Sequence, residues 1–153
     1  MAIVDLTDLP AGTTPLVGLD LGEKTIGVAV SDATRMIASP LETIRKTKFS
    51  DDAAALFRLM ESRRASAIVI GLPVNMDGTE GARCQSSRAF ARNLLRLNPD
   101  LPIAFWDERM SSMAVNRMLI DEADVSRARR DEVVDRAAAA WILQGALDRL
   151  RNR

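Results

Sequence analysis

Residues 16–32 read LVGLDLGEKTIGVAVSD, and the fold prediction rests mainly on this stretch. Residues 16–21 form an apolar run typical of a buried strand, and residues 25–30 form a second one. The residues between them begin with Gly22 and predict a tight turn. The two strands are therefore expected to form a β-hairpin.

One carboxylate, Asp20, interrupts the first apolar strand. Burying a charged side chain is costly unless that side chain is paired or binds a metal ion. The apolar pattern continues after it, through Leu21 and the second strand, which favours a buried and functional position. The alternative is that Asp20 lies at the end of the strand and caps the turn.

The residues after the hairpin alternate between strand-like and helix-like patterns. Ser50 or Asp51 can cap the first helix, and the continuous apolar run AIVI at 67–70 is typical of a strand covered on both faces. The predicted elements are strands at 35–38, 67–70 and 102–106 and helices at 51–64, 84–97, 110–122 and 131–150. Their order predicts a mixed α/β sheet with an antiparallel front and βαβ crossovers behind it. Trp106 and Trp141 are both expected in the core.

The length of 153 residues matches one ordinary domain. Pro10, Gly12 and Pro15 break regular structure, so residues 1–15 are predicted to be a flexible extension and residues 16–153 a single domain. No apolar run approaches the ~20 residues that cross a membrane. A single cysteine and a start without Lys or Arg are typical of a cytoplasmic protein.

The chain contains no histidine and one cysteine, which excludes several kinds of active site. A Ser-His-Asp or Cys-His nucleophile system needs an imidazole base, and the common zinc sites need several Cys or His ligands. Polar chemistry must come from carboxylates, Arg, Lys, hydroxyls and amides. Carboxylates without histidine favour hard cations such as Mg²⁺ or Mn²⁺.

Equal numbers of basic and acidic residues, 21 each, hide an uneven distribution. A neutral protein is not the expected binder of nucleic acid, which is usually basic. However, residues 1–32 hold five acids and one lysine, so the rest of the chain is basic. Arg88, Arg92 and Arg96 repeat every four residues and predict a stripe suited to phosphate contact. A solvated surface is the usual alternative for any single basic group.

Two further regions supply carboxylates. Asp107 and Glu108 follow the strand at 102–106, and because side chains alternate along a strand, at most one of them shares a site with Asp20. The alternative is a strand end exposed to water. Asp135 lies on an alanine-rich helical face that can approach a sheet closely, although an acid near a helix start also complements the helix dipole. Three such acids suggest a two-metal site for phosphodiester hydrolysis.

Four segments, taken in order, resemble the YqgF family of Holliday-junction-resolvase-like proteins, also called RuvX. They are residues 16–32, IVIGLPVNMDGTEG (68–81), WDERMSS (106–112) and VDRAAAAWILQGALD (134–148). The resemblance implies an α/β chain with an RNase H-like fold, a five-stranded mixed sheet flanked by helices. It also implies a nuclease that uses Mg²⁺ or Mn²⁺.

The resemblance extends to individual residues. It implies catalytic and metal-binding roles for Asp20, Glu108 and Asp135, and so selects Glu108 over Asp107. It also implies that the loop containing Asn75 borders the active site. The candidates for substrate contact are the basic or amide residues Lys24, Asn75, Arg88, Arg92, Arg109, Arg127 and Arg130.

Family proteins are associated with 5′-end maturation of pre-16S rRNA, which is the favoured function. The alternatives are a Holliday junction resolvase acting on branched DNA, or a non-catalytic nucleic-acid-binding module on the same fold. A nucleotide-binding ATPase of the actin and sugar-kinase type is disfavoured, because such proteins need two domains around the nucleotide. The expected partner is nucleic acid, bound by a monomer or a homodimer, with no membrane contact.

Overall fold

The computed structural model describes residues 3–110 and 127–152, with residues 127–133 described by their backbone alone. One mixed sheet carries helices on both faces. The strands are β1 (Leu16–Leu21), β2 (Thr25–Ser31), β3 (Ala38–Arg45), β4 (Ala67–Leu72) and β5 (Ile103–Asp107). The helices are α1 (Phe49–Arg63), α2 (Ala82–Leu97) and α3 (Arg127–Arg151), with 3₁₀ turns at Leu6–Asp8 and Glu108–Met110.

The strand order across the sheet is β3-β2-β1-β4-β5. The first three strands form an antiparallel meander, whereas β4 lies parallel to β1 and β5 lies parallel to β4. Because β1, β4 and β5 run in the same direction, their carboxyl ends meet at one edge of the sheet. The loops that follow these three strands therefore gather at that edge.

Side-chain alternation along β1 divides the core into two layers. Val17 and Leu19 pack with α1 and α2, whereas Leu16 packs with α3. The α3 layer is unusually close, because a Cβ on Gly18 would lie 2.7 Å from the Leu143 Cβ. Since residues two apart in a strand face the same side, Asp20 faces α3 as Gly18 does.

The predicted hairpin, the central strands and the first two helices are confirmed to within a few residues. The third strand was predicted at residues 35–38, and this prediction is wrong, because β3 runs through Pro40. Proline lacks the N–H of a ladder bond and is tolerated at sheet edges and bulges. Here β3 is an edge strand and its register shifts at Pro40. The helix predicted at 110–122 falls largely outside the described residues.

The prediction that both tryptophans are buried is confirmed for Trp106 and wrong for Trp141. Trp106 is 9% exposed and packs under α3, whereas Trp141 is 42% exposed. The buried stripe of α3 runs through Ala138 and Ile142. Each helical residue turns by about 100°, so Trp141 lies beside this stripe and not on it.

The N-terminal segment contacts the edge strand β5. The Val4 amide donates to the Ile103 carbonyl at 2.9 Å, and Leu9 is buried in the α3 layer. The predicted flexibility of residues 1–15 concerns motion and stays a prediction. Within the described residues, no helix is both long and apolar enough to span a membrane.

Candidate active site

Asp20 is the buried carboxylate at the centre of the sheet, with 4% of its surface exposed. It lies on β1, directly across from Gly27 on β2. On the other side, Leu19 pairs with Ile70 of β4, so the next step of the parallel ladder brings Asp20 level with Gly71. Residues that lie directly opposite each other on adjacent strands point to the same face of the sheet. Asp20 therefore has a glycine on either side of it on that face.

The glycine on β2 allows α3 to bring Asp135 against the sheet. A Cβ on Gly27 would lie 2.0 Å from the main-chain oxygen of Asp135, which means that the helix backbone occupies the space of a missing side chain. The Thr25 hydroxyl donates a hydrogen bond to Asp135 Oδ2. Thr25 therefore holds the Asp135 carboxylate on the same side of the sheet as Asp20.

The glycine on β4 gives space to Glu108. A Cβ on Gly71 would lie 3.0 Å from Glu108 Oε2, and this oxygen has less than 1 Å² exposed to water. Gly71 pairs with Trp106, so Trp106 faces α3 and the next residue, Asp107, faces the other side. Of the two adjacent acids, Glu108 thus shares the face of Asp20 and Asp107 does not.

Asp107 is engaged by Arg109. The guanidinium donates from Nη2 to Asp107 Oδ2 at 2.7 Å, and the Arg109 main-chain amide donates to Oδ1 at 2.9 Å. These hydrogen bonds lower the pKa of Asp107 and raise that of Arg109. Arg109 Nη1 also reaches the Met76 carbonyl at 3.4 Å, so the pair connects β5 to the loop after β4.

The loop after β4 is organised by its own polar side chains. Asp77 accepts hydrogen bonds from the Thr79 amide and hydroxyl, which lowers the pKa of Asp77. Asn75 is exposed, and its side-chain amide donates to the Thr79 hydroxyl at 3.0 Å. Gly78 has φ near +91°, a conformation that favours glycine. The loop lies at the carboxyl edge of the sheet, in contact with Arg109.

The predicted substrate-binding residues have different surroundings. Arg88 forms a two-pronged salt bridge with Glu80 and lies 5.0 Å above the Phe105 ring, so its charge is matched within the protein. Arg92 and Lys24 are exposed. Arg127 and Arg130 lie at the start of α3, where only the backbone is described.

The geometry brings three carboxylates to one face of the sheet but does not close them into a compact site. Asp20 is central, with Asp135 above the glycine on one side and Glu108 above the glycine on the other. Within residues 3–110 and 134–152, whose side chains the structure describes, no three Asp, Glu or Cys side chains form a group that could hold a metal ion as they stand. The donor set is entirely carboxylate, which suits Mg²⁺ or Mn²⁺.

Sequence reasoning missed Thr25, Gly27 and Gly71. Gly27 and Gly71 are small residues within apolar strands, and such glycines indicate close approach of another backbone or group. That signal is readable in the sequence. The partner of the Thr25 hydroxyl is not, because Asp135 is 110 residues away along the chain.

The chain is similar to known proteins along nearly its whole length. The model of the family described as "RuvX: Holliday junction resolvase" matches residues 14–149. A protein of Phenylobacterium zucineum (strain HLK1) is 83% identical over 155 aligned positions, covering 99% of each chain. One from Caulobacter vibrioides (strain NA1000 / CB15N) is 70% identical over 150 positions, covering 98% of this chain and 96% of the relative. Both are named "Putative pre-16S rRNA nuclease".

Two solved structures share the fold at low sequence identity. RuvC of T. thermophilus, in complex with a Holliday junction substrate, superposes with a TM-score of 0.54 at 12% identity, covering 90% of this chain and 96% of that one. The yeast mitochondrial Holliday junction resolvase Ydc2 superposes with a TM-score of 0.52 at 15% identity, and the match covers 96% of this chain and 85% of that one. The expected RNase H-like fold, a mixed five-stranded sheet flanked by helices, is thereby confirmed.

Proposed function

Because this chain belongs to the RuvX family, we propose that it is a divalent-metal-dependent nuclease that acts in 5′-end maturation of pre-16S rRNA. One observation of the structure supports a hydrolytic site most strongly. Asp20, Glu108 and Asp135 come from three distant segments and lie on one face of the sheet. A protein that only bound nucleic acid would gain nothing from gathering carboxylates where phosphates approach.

The three carboxylates fit a divalent cation on two grounds. All their donor atoms are oxygens of the kind that Mg²⁺ and Mn²⁺ prefer. In addition, Gly27 and Gly71 carry no side chains, and the Asp135 backbone and Glu108 Oε2 lie over these two glycines, on the face that Asp20 shares. Asp20, Glu108 and Asp135 would hold the cation, with Asp20 as the central ligand. When bound, such a cation supplies a water nucleophile at neutral pH and stabilises the charge of the leaving oxygen.

The remaining side chains orient this site. The Thr25 hydroxyl holds Asp135 Oδ2, and the Asp107–Arg109 pair connects the strand end before Glu108 to the loop after β4. Arg109 and Lys24 are exposed and would contact the phosphate backbone of the substrate. We place the activity in the cytoplasm, as the single cysteine favours.

Replacing Thr25 with valine is expected to weaken metal binding and cleavage by about 10- to 100-fold, the range for loss of a group that orients a ligand. Valine matches the shape of threonine but cannot donate to Asp135. Cleavage rate and the Mn²⁺ concentration that gives half-maximal rate should be measured together. Thr25→Ser keeps the donor and should restore both values. If valine and serine variants behave alike, Thr25 has only a packing role.

The proposed function is tested with two substrates in parallel. The purified protein, with Mg²⁺ or Mn²⁺, is incubated with a 16S rRNA precursor that carries its 5′ extension and with a four-way DNA junction. We expect metal-dependent cleavage in the 5′ extension, faster than cleavage of the junction, and none in EDTA. Absence of metal-dependent cleavage of either substrate would refute the nuclease assignment.

Junction resolution is the second candidate, favoured by the description of the matching family and by the shared fold of RuvC. Resolving a junction requires two symmetric cuts and therefore two copies of the chain, whereas trimming RNA requires one active site. Two results together would favour this candidate over rRNA maturation. The junction would be cut faster than the precursor rRNA, and light scattering under the assay conditions would show the protein to be a dimer.

A further inference from the structure

A concave surface lies next to Asp20, on the opposite face of the sheet from the carboxylates. It is a cleft of about 350 Å³ between the β1–β2 turn and the first turns of α2, and we call it the turn cleft. Its lining includes Leu21, Glu23, Lys46, Arg83 and Phe90. Leu21 directly follows Asp20 and packs on the α1 and α2 side. The turn cleft and the carboxylates therefore lie on either side of the same strand end.

Two cations reach the turn cleft from different elements. The Lys46 ammonium donates to the Gly22 carbonyl at 2.7 Å, and Arg83 Nη2 lies 3.5 Å from the Leu21 carbonyl. In the described part of the chain, neither forms a salt bridge, unlike Arg88, which is paired with Glu80. Each contact uses one donor, so Lys46 retains two N–H groups and Arg83 retains four for a ligand.

The rest of the lining is suited to a sugar or a base. Phe90 is half-buried and is fixed by an edge-to-face contact with Phe49, with centroids 5.4 Å apart. Leu21 is also half-buried and adds apolar surface beside it. Two cations, one aromatic ring and an aliphatic side chain match the alternating charged and apolar parts of a nucleotide. Glu23 is the one acid of the lining and opposes the cations.

We propose that the turn cleft binds the sugar–phosphate backbone next to the bond that is cut, with Lys46 and Arg83 as its phosphate contacts. The assignment rests on the proposed nuclease function and adds a substrate subsite to it. A strand crossing the carboxyl edge of the sheet would pass from the carboxylates over the end of β1 into the turn cleft. Glu23 weakens this binding through like-charge repulsion.

The test measures binding without cleavage. Fluorescence anisotropy in EDTA follows a labelled single-stranded RNA of about twelve nucleotides, long enough for one site. Lys46→Ala and Arg83→Ala should each weaken binding about two- to fivefold, the effect of losing one partly hydrated ionic contact. Each should also lower the slope of log Kd against log salt by about 0.7, as expected for one phosphate of a single strand. Glu23→Gln should tighten binding.

Matched variants separate charge from folding. Arg63→Ala removes an exposed arginine at the far end of α1 and should leave affinity and salt slope unchanged. Lys46→Arg and Arg83→Lys keep the charge and should restore the slope. The proposal fails if wild type binds and cleaves RNA while Lys46→Ala and Arg83→Ala bind like Arg63→Ala. If wild type binds RNA but never cuts it, the proposed function fails, and with it the position of this subsite beside a cut bond.

Discussion

Asp20→Asn will lower metal-dependent cleavage by at least about 100-fold, because loss of groups that merely support a metal ligand already costs 10- to 100-fold. The asparagine amide has the shape of the carboxylate but lacks its charge and turns a donor toward the cation. Asp20 also lies between the other two carboxylates, so its replacement removes the middle member of the proposed ligand set. The measurement is the initial rate on the precursor rRNA at saturating Mg²⁺ and Mn²⁺.

A second readout for this variant does not depend on activity. A cation that binds only the folded protein raises the melting temperature in proportion to the logarithm of its concentration. Wild type should therefore melt higher in Mn²⁺ than in EDTA, whereas Asp20→Asn should melt alike in both. Asp100→Asn changes an exposed acid after α2 and should behave like wild type in both assays. Equal cleavage by wild type and Asp20→Asn would refute the assigned site.

Gly27→Ala is expected to destabilise the fold by about 3 kcal/mol, at the upper end of the cost of overpacking a core. The added Cβ would lie 2.0 Å from the Asp135 carbonyl oxygen and 2.4 Å from its carbonyl carbon. Because both atoms belong to the α3 backbone, the helix itself must move away from β2. For a chain of this size, the melting temperature should fall by roughly 6–12 °C.

The same substitution should reduce cleavage further than instability explains, because α3 carries Asp135 away from Asp20. Gly81→Ala is the matched control. The nearest atom to its added Cβ is Asn75 Nδ2 at 4.0 Å, and its φ of −91° suits any residue. We expect a cost below about 1 kcal/mol from its position at the start of α2. Similar melting temperatures for the two variants would contradict the close contact at Gly27.

Local patterns predicted most elements because each pattern reflects a local constraint. The apolar runs of β1 and β4 must be buried, and the spacing of apolar residues in α1 and α2 follows the helical repeat. The errors arose at positions where the tertiary surroundings of a residue mattered more than its own conformational or burial preference. The third strand was predicted at residues 35–38, but an edge position with a register shift lets β3 run through Pro40. Trp141 suggested a core residue, but α3 turns it beside the buried stripe.

In the candidate site, too, local patterns predicted some features and tertiary contacts determined the others. The sequence marked Asp20 as a charge within an apolar strand and Asp135 as an acid on a small-residue face, since both signals are local. Alternation left Asp107 and Glu108 as alternatives, and the family resemblance selected Glu108. The observed face of Trp106, set by its pairing with Gly71, is consistent with that selection. Arg88 belongs to a predicted basic stripe, yet only the structure reveals its salt bridge with Glu80.

By itself, the sequence determined the fold class and the absence of histidine chemistry, and it proposed Asp20 and Asp135 as site acids. Residue type and local pattern carry that information, whereas the choice of Glu108 over Asp107 came from the family resemblance. Only the tertiary structure determined which acids share a face and what holds them there. Asp20 and Asp135 are brought together by strand register and by a glycine that admits a helix backbone. Such contacts join residues more than a hundred positions apart, and no local pattern encodes them.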